Sequence, residues 1–321
     1  MTQQTNLALK KLKGIKPKGI KIKKDSKLEY LVSLLPKVFD YDFKIRIFWI
    51  RAENFFNRYS EHKEYFQSLI PEDLVLTNNL IESFVHSTLD LDINGINQFA
   101  LGIFSGQLVN RLVDQNKKLN KPTKLYINGQ GQEVNNLLNT VDSVDELIID
   151  NFKGQQLGSG FGINSSAGTL AVINCEGYGA ANCAAIAKGS ADMVLVINCN
   201  GGMPVKHAAV HGKGINELVV IDNPIEVLPE QTWISSGHEG LIKRLITYNT
   251  SVDINPKFYK KYCDWNSDKD IEERFPKLLE YSKLIKKSNS EQEKIETVRN
   301  IRAYLKSIPL RGEYGRKLQN E

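Results

Sequence analysis

Cysteine, histidine and long apolar runs are all scarce in this chain, and each scarcity narrows what the protein can be. Four cysteines and five histidines among 321 residues are too few for a disulfide-stapled scaffold or a cysteine-dense metal domain. No apolar stretch reaches the roughly 20 residues that a membrane-spanning helix needs, and the first residues lack the apolar centre of a signal peptide. A cytoplasmic protein with free thiols is therefore expected. Negative charge is missing altogether from Met1 to Lys24, a stretch that holds Lys10, Lys11, Lys13, Lys16, Lys18, Lys21, Lys23 and Lys24. The remainder is ordinary for a globular chain, with 41% hydrophobic and 25% charged residues.

What the sequence does contain is a repeat. LAVINCEG at Leu170–Gly177 returns as VLVINCNG at Val194–Gly201, 24 residues later. Val220-Ile221-Asp222-Asn223 lies a further 24 on, and Ile148-Ile149-Asp150-Asn151 lies 24 before. Tyr126-Ile127-Asn128-Gly129 precedes these at a spacing of 22. Glycine turns separate the segments, and a small-residue segment recurs with the same offset, as Ala184-Ala185-Ile186 and Ala208-Ala209-Val210. A fixed period of this size marks a solenoid, one coil per repeat.

Period-two alternation within each segment points to strands. The expected fold is α+β: a central β-solenoid of about five coils, each of about 24 residues, flanked by helical segments. In this reading Leu195, Ile197 and Cys199 face inward, with Ala171, Ile173 and Cys175 below them. Ile148, Val172, Val196 and Val220 form an outer apolar stripe, which a flanking helix, a protein partner or a second copy of the chain should cover. Asp150, Asn174, Asn198 and Asp222 should stack as a polar ladder. The domains expected are a basic tail (1–24), a helical region (25–120), the solenoid (121–228) and a helical C-terminal region (229–321). Helices are predicted from Asn94 to Gln115 and, from the capping-box pattern Ser290-Glu291-Gln292-Glu293, over about 291–307.

The order of apolar strand, glycine turn, small pair and Lys-Gly (Lys188-Gly189, Lys213-Gly214) resembles the right-handed β-helix of the GXGXG type. That domain occurs in the large chain of glutamate synthases and in formylmethanofuran dehydrogenase. Gly102-Ile103-Phe104-Ser105-Gly106-Gln107-Leu108-Val109-Asn110 is similar to the helix that leads into such domains, and the resemblance covers about residues 95–225. It implies a spacer or partner-docking element more than a catalyst. A leucine-rich-repeat-like solenoid is the alternative, from Leu195-x-Ile197-x-x-Asn200; the neighbouring coils place Phe152, Glu176 and Pro224 where Asn200 stands.

Two leads to chemistry follow. Cys175 and Cys199 are 24 apart, as are Cys183 and His207, so each pair would stack on adjacent coils. Together they are a candidate Cys₃His site for zinc or iron, and with it a metal-assisted enzyme is the alternative function. Cysteine as a small inward hydrophobe explains the same pattern. His207 or His211 beside a strand cysteine, and the loop at His238-Glu239, are further acid–base candidates, but no catalytic residue is assigned. Gly129-Gln130-Gly131 and Gly158-Ser159-Gly160-Phe161-Gly162 lack the Lys-Ser/Thr ending of a phosphate loop and read as coil corners. The eight tail lysines point to an anionic partner: nucleic acid bound without sequence readout, an acidic protein, or an anionic membrane surface. The leading expectation is a non-enzymatic scaffold or binding protein, such as one member of a larger assembly.

Overall fold

The computed structural model describes residues 26–41, 61–89, 91–182, 184–185, 189–202, 205, 208, 213–227, 242–252, 264–266 and 268–311. Seven parallel strands form one sheet in chain order: β1 (Lys124–Asn128), β2 (Glu146–Asp150), β3 (Ser166–Ile173), β4 (Ser190–Ile197), β5 (Gly214–Val227), β6 (Ile242–Val252) and β7 (Asp264–Asn266). Parallel neighbours in sequence order, with no helix between β1 and β5 among the described residues, require the chain to coil. Partners from β1 to β5 are 22, 23, 24 and 24 residues apart. This is a β-solenoid of about four turns, slightly fewer than the five coils expected. The sheet also continues past residue 228 into β6 and β7, so the C-terminal region is not wholly helical.

Two backbone devices shape each coil. Just after β2, β3 and β4, and within β5 and β6, the chain enters the left-handed region at Asn151, Asn174, Asn198, Asp222 and Asn249, with φ between 47° and 55°. Asparagine and aspartate tolerate this conformation best among residues with a Cβ. Three members of the expected ladder bond in order: Asn174 Nδ2 donates to Asp150 Oδ1 at 3.0 Å, and Asn198 Nδ2 donates to Asn174 Oδ1 at 2.8 Å, while Asp222 Oδ1 accepts from Asn249 Nδ2 at 2.7 Å. At the next corner Gly154, Gly177 and Gly201 lie one above another. A Cβ on Gly177 would sit 1.9 Å from the carbonyl oxygen of Gly154, and one on Gly201 1.7 Å from that of Gly177.

The left-handed residue also corrects the expected faces. It breaks the period-two alternation, so Cys175 and Cys199 point inward while the strand residues just before them do not. Inside lie Ile149, Val172, Val196 and Val220. Outside lie Ala171, Ile173, Leu195, Ile197, Val219 and Ile221. Ile148 remains outside because β2 pairs with β3 at a spacing of 23, which sets it beside Ala171. Three of the four residues assigned to the outer stripe therefore fill the interior.

Helices close the N-terminal end: α1 (Ser26–Ser33), α2 (Leu35–Phe39), a helical stretch through 61–68, α3 (Asn78–Thr88) and α4 (Gly95–Lys118). Phe66, Phe84 and Phe104 form a buried aromatic cluster, with Phe84 and Phe104 centroids 5.6 Å apart. α4 starts at Asn94, whose side chain accepts from Asn97 N, and it lies against the first coil so closely that a Cβ on Gly106 would meet the Asn139 oxygen at 1.9 Å. It takes the place of a preceding coil. Asn139 N donates to Gly102 O, Leu138 N to Ser105 Oγ, and Asp142 N to Asn110 Oδ1.

The outer sheet face is covered by α5 (Asp268–Arg274), α6 (Pro276–Lys287) and α7 (Glu291–Ser307). α7 begins as its capping box predicts, with Ser290 Oγ accepting from Glu293 N. Phe275, Leu278, Ile285, Val298, Ile301 and Leu305 are fully buried on the outer ridge. The apolar outer face, made of Ile148, Ala171, Ile173, Leu195, Ile197, Val219 and Ile221, thus has an intramolecular cover. α7 crosses the strands: Lys294 meets Asp150 of β2, and the Leu305 carbonyl meets Arg244 of β6. That stretch of helix spans about 17 Å at 1.5 Å per residue. Four inter-strand steps span about 19 Å. The helix therefore runs along the stacking direction.

Candidate functional site

Three groupings of functional side chains lie among the described residues. The first is the thiol ladder. Cys175 Sγ is 3.2 Å from the Ile173 oxygen and accepts from Phe152 N at 3.5 Å; Cys199 Sγ is 3.4 Å from the Val172 oxygen. Both are free and buried. Burial, reinforced by the neighbouring Cys199 thiol, pushes the Cys175 thiol well above its usual range, which works against the thiolate that nucleophiles and metal ligands require. The structure thus stacks two of the four proposed metal ligands. Cys183 and His207 lie outside the described residues, as do His211, His238, Glu239 and the eight tail lysines. Among the described residues, no group of three His, Cys, Asp or Glu side chains is arranged to hold a metal ion.

The second grouping is a charged seam beneath the helical cover, which the sequence reading missed. Lys294 Nζ lies 2.6 Å from Asp150 Oδ2, both buried, and Tyr126 OH donates to the same oxygen. Burial and this carboxylate push the Tyr126 hydroxyl far above the usual phenol range. Arg299 forms a two-pronged contact with Glu146, and Arg302 and Lys306 converge on Asp192. Burial opposes ionisation of Asp192, but hydrogen bonds from Lys306, Asn216 and Arg302 outweigh it and hold its carboxyl below the ordinary range. Further along, the fully buried Arg244 reaches Glu217 at 3.2 Å, Asp264 at 3.4 Å, and the Leu305 and Ile308 carbonyls. Arg274 joins it from α5, on Asp264 and Asn266. Every basic side chain of α7 is thereby neutralised. A signal was present: Lys294, Arg299, Arg302 and Lys306 fall within about one helix face at intervals near 4.

The third grouping is the turn between α4 and β1. Lys117, Lys118, Lys121 and Lys124 are all exposed there, and none forms an ion pair among the described residues; Lys117 Nζ donates to Ser143 Oγ. The turn is held by its own bonds. Lys121 N donates to Asn116 O, Asn116 Nδ2 to Thr123 Oγ1, and Thr123 N to Asp145 Oδ2. The segment at 74–78 connects this turn to the root of the lysine tail. Lys27 Nζ donates to the Val75 oxygen, Gln115 of α4 bonds both Leu74 O and Leu76 N, and Asn78 Nδ2 donates to the Lys124 oxygen.

Comparison with protein families, with characterised proteins and with solved structures finds no match. The GXGXG resemblance stands on the residues quoted for it alone. No helix among the described residues is long and apolar enough to cross a membrane.

Proposed function

We propose that the protein is a non-enzymatic scaffold or binding protein whose N-terminal end engages an anionic partner. One contrast supports this reading above others. The basic side chains of α7 all meet carboxylates, whereas Lys117, Lys118, Lys121 and Lys124 project from a bonded turn without ion partners among the described residues. In the sequence the eight tail lysines lie a few residues before Lys27, whose Nζ donates to the Val75 oxygen of the 74–78 segment. Cations left unpaired on a rigid frame attract polyanions over about a Debye length and bind them in a salt-dependent way. The solenoid, capped by α4 and covered by α5–α7, supplies the frame.

The test is binding of the purified full chain to RNA, duplex DNA and anionic vesicles across a salt series, with and without residues 1–24. Binding to at least one of these that weakens steeply with salt, and weakens again on removal of the tail, is the expected result. Failure to bind all three at low salt overturns the reading.

A further inference from the structure

Resting on the anionic-partner reading, we infer that the partner is an anionic lipid bilayer, and that the N-terminal end of the solenoid lies against its surface. Six large hydrophobic side chains are exposed among the described residues, and three of them stand among these lysines. Leu119 is 62% exposed in the turn itself, between Lys118 and Lys121. Val75 is 57% exposed, and its carbonyl holds Lys27. Tyr30 lies one helical turn beyond Lys27 on α1. Leu119 follows Gln115 by one turn of α4, and Gln115 is the residue bonded on both sides of Val75. The exposed apolar side chains and the cations thus share one end of the molecule.

The apolar side chains decide between the polyanions. Nucleic acid binds stacking platforms of aromatic or guanidinium planes; Tyr30 is the least exposed of the three apolar side chains, and the two that project furthest, aliphatic Leu119 and Val75, offer no such plane. A bilayer interface takes lysine at its anionic headgroups and aliphatic side chains at the acyl boundary beneath. The tail repeats the combination, with Leu12, Ile15, Ile20 and Ile22 set between its lysines. Glu29, Glu72, Asp73, Asp114 and Asp145 also lie in this region and oppose binding. Lys27, Arg111 and the four turn lysines only roughly balance them, so the tail lysines supply most of the net attraction. Binding should therefore be reversible and sensitive to salt.

The experiment is co-flotation of the full chain with vesicles of phosphatidylcholine alone, or of phosphatidylcholine mixed with phosphatidylserine, alongside RNA binding by the same preparation. Binding to the phosphatidylserine vesicles only is expected. Each turn lysine near such a surface contributes about 1 kcal/mol, so changing Lys118, Lys121 and Lys124 to Gln should weaken partition by about a hundredfold, and changing them to Arg should preserve it. The pair Leu119→Ser and Val75→Ser keeps the charge and should weaken partition by about tenfold. These are surface positions, and an unchanged thermal melt confirms folding. Equal vesicle binding by the Ser pair overturns the lipid-contact geometry. RNA binding without vesicle binding overturns the bilayer as partner and leaves the anionic-partner reading standing. Binding to neither overturns the bilayer as partner, and the anionic-partner reading falls with it when duplex DNA is not bound either.

Discussion

Glu217 is a carboxylate enclosed at the end of the charged seam. One of its oxygens accepts from Arg244, and the other has no hydrogen-bond partner. Arg244 and Lys306 favour its charge, while Asp192 and Asp264 oppose it. Burial dominates and raises its pKa from 4.5 to about 7. The folded state therefore holds a proton that the unfolded chain has released between these values, so the contribution to stability is largest below pH 4.5 and is lost as pH rises through 7. Its full size is about 3 kcal/mol at most. Glu217→Gln should flatten this descent and exceed the parent in stability above pH 7, as read from denaturant midpoints on both sides of the window; an unaltered pH profile would refute the assignment. Cys175 and Cys199 give a second expectation at this scale. A thiol-alkylating reagent near neutral pH should leave both unmodified in the folded chain and modify both in denaturant, as read by peptide mass mapping that separates them from the other two cysteines.

At the scale of the element, three described coils each depend on one glycine corner, at Gly154, Gly177 and Gly201, and on one left-handed asparagine, at Asn151, Asn174 and Asn198. Gly177→Ala places a methyl against the Gly154 carbonyl at a φ of +139°. No rotamer relieves a clash between backbone atoms, so a loss of about 3 kcal/mol is expected, measurable by chemical denaturation. Lys294→Ala leaves Asp150 buried without its cation and should cost about 3–5 kcal/mol. The 24-residue period, the Asp150–Asn174–Asn198 ladder and the start of α7 could all be read in the sequence, because each is local or periodic. The two faces of the strands could not. Alternation places Ile173 and Cys175 together, and only the φ of Asn174 separates them. Lys294 and Asp150 are 144 residues apart, and no periodicity connects such a pair. The turn lysines were visible as residues, but their lack of ion partners depends on what surrounds them.

For the molecule as a whole, a free solenoid behaves as a one-dimensional stack in which coils unzip from either end. Here α4 bonds the first coil and α7 joins β2 to β6, so the ends are tied to the middle. A single cooperative thermal transition is expected. Ile301→Asp, which sets a charge into the fully buried ridge under α7, should split or broaden that transition and lower hydrogen-exchange protection in β3–β5. Retention of one sharp transition and full protection would show that the coils hold together unaided.

α7 also works as a measuring rod. Its contacts are graduated along the stack, with Asp150 at one mark, Asp192 further on and Arg244 at the last. Most solenoids can gain or lose a repeat and simply become longer or shorter. In this chain an added coil between β3 and β4 would carry every later mark about 4.8 Å beyond its partner on the helix, so coil number and helix length can change in evolution only together.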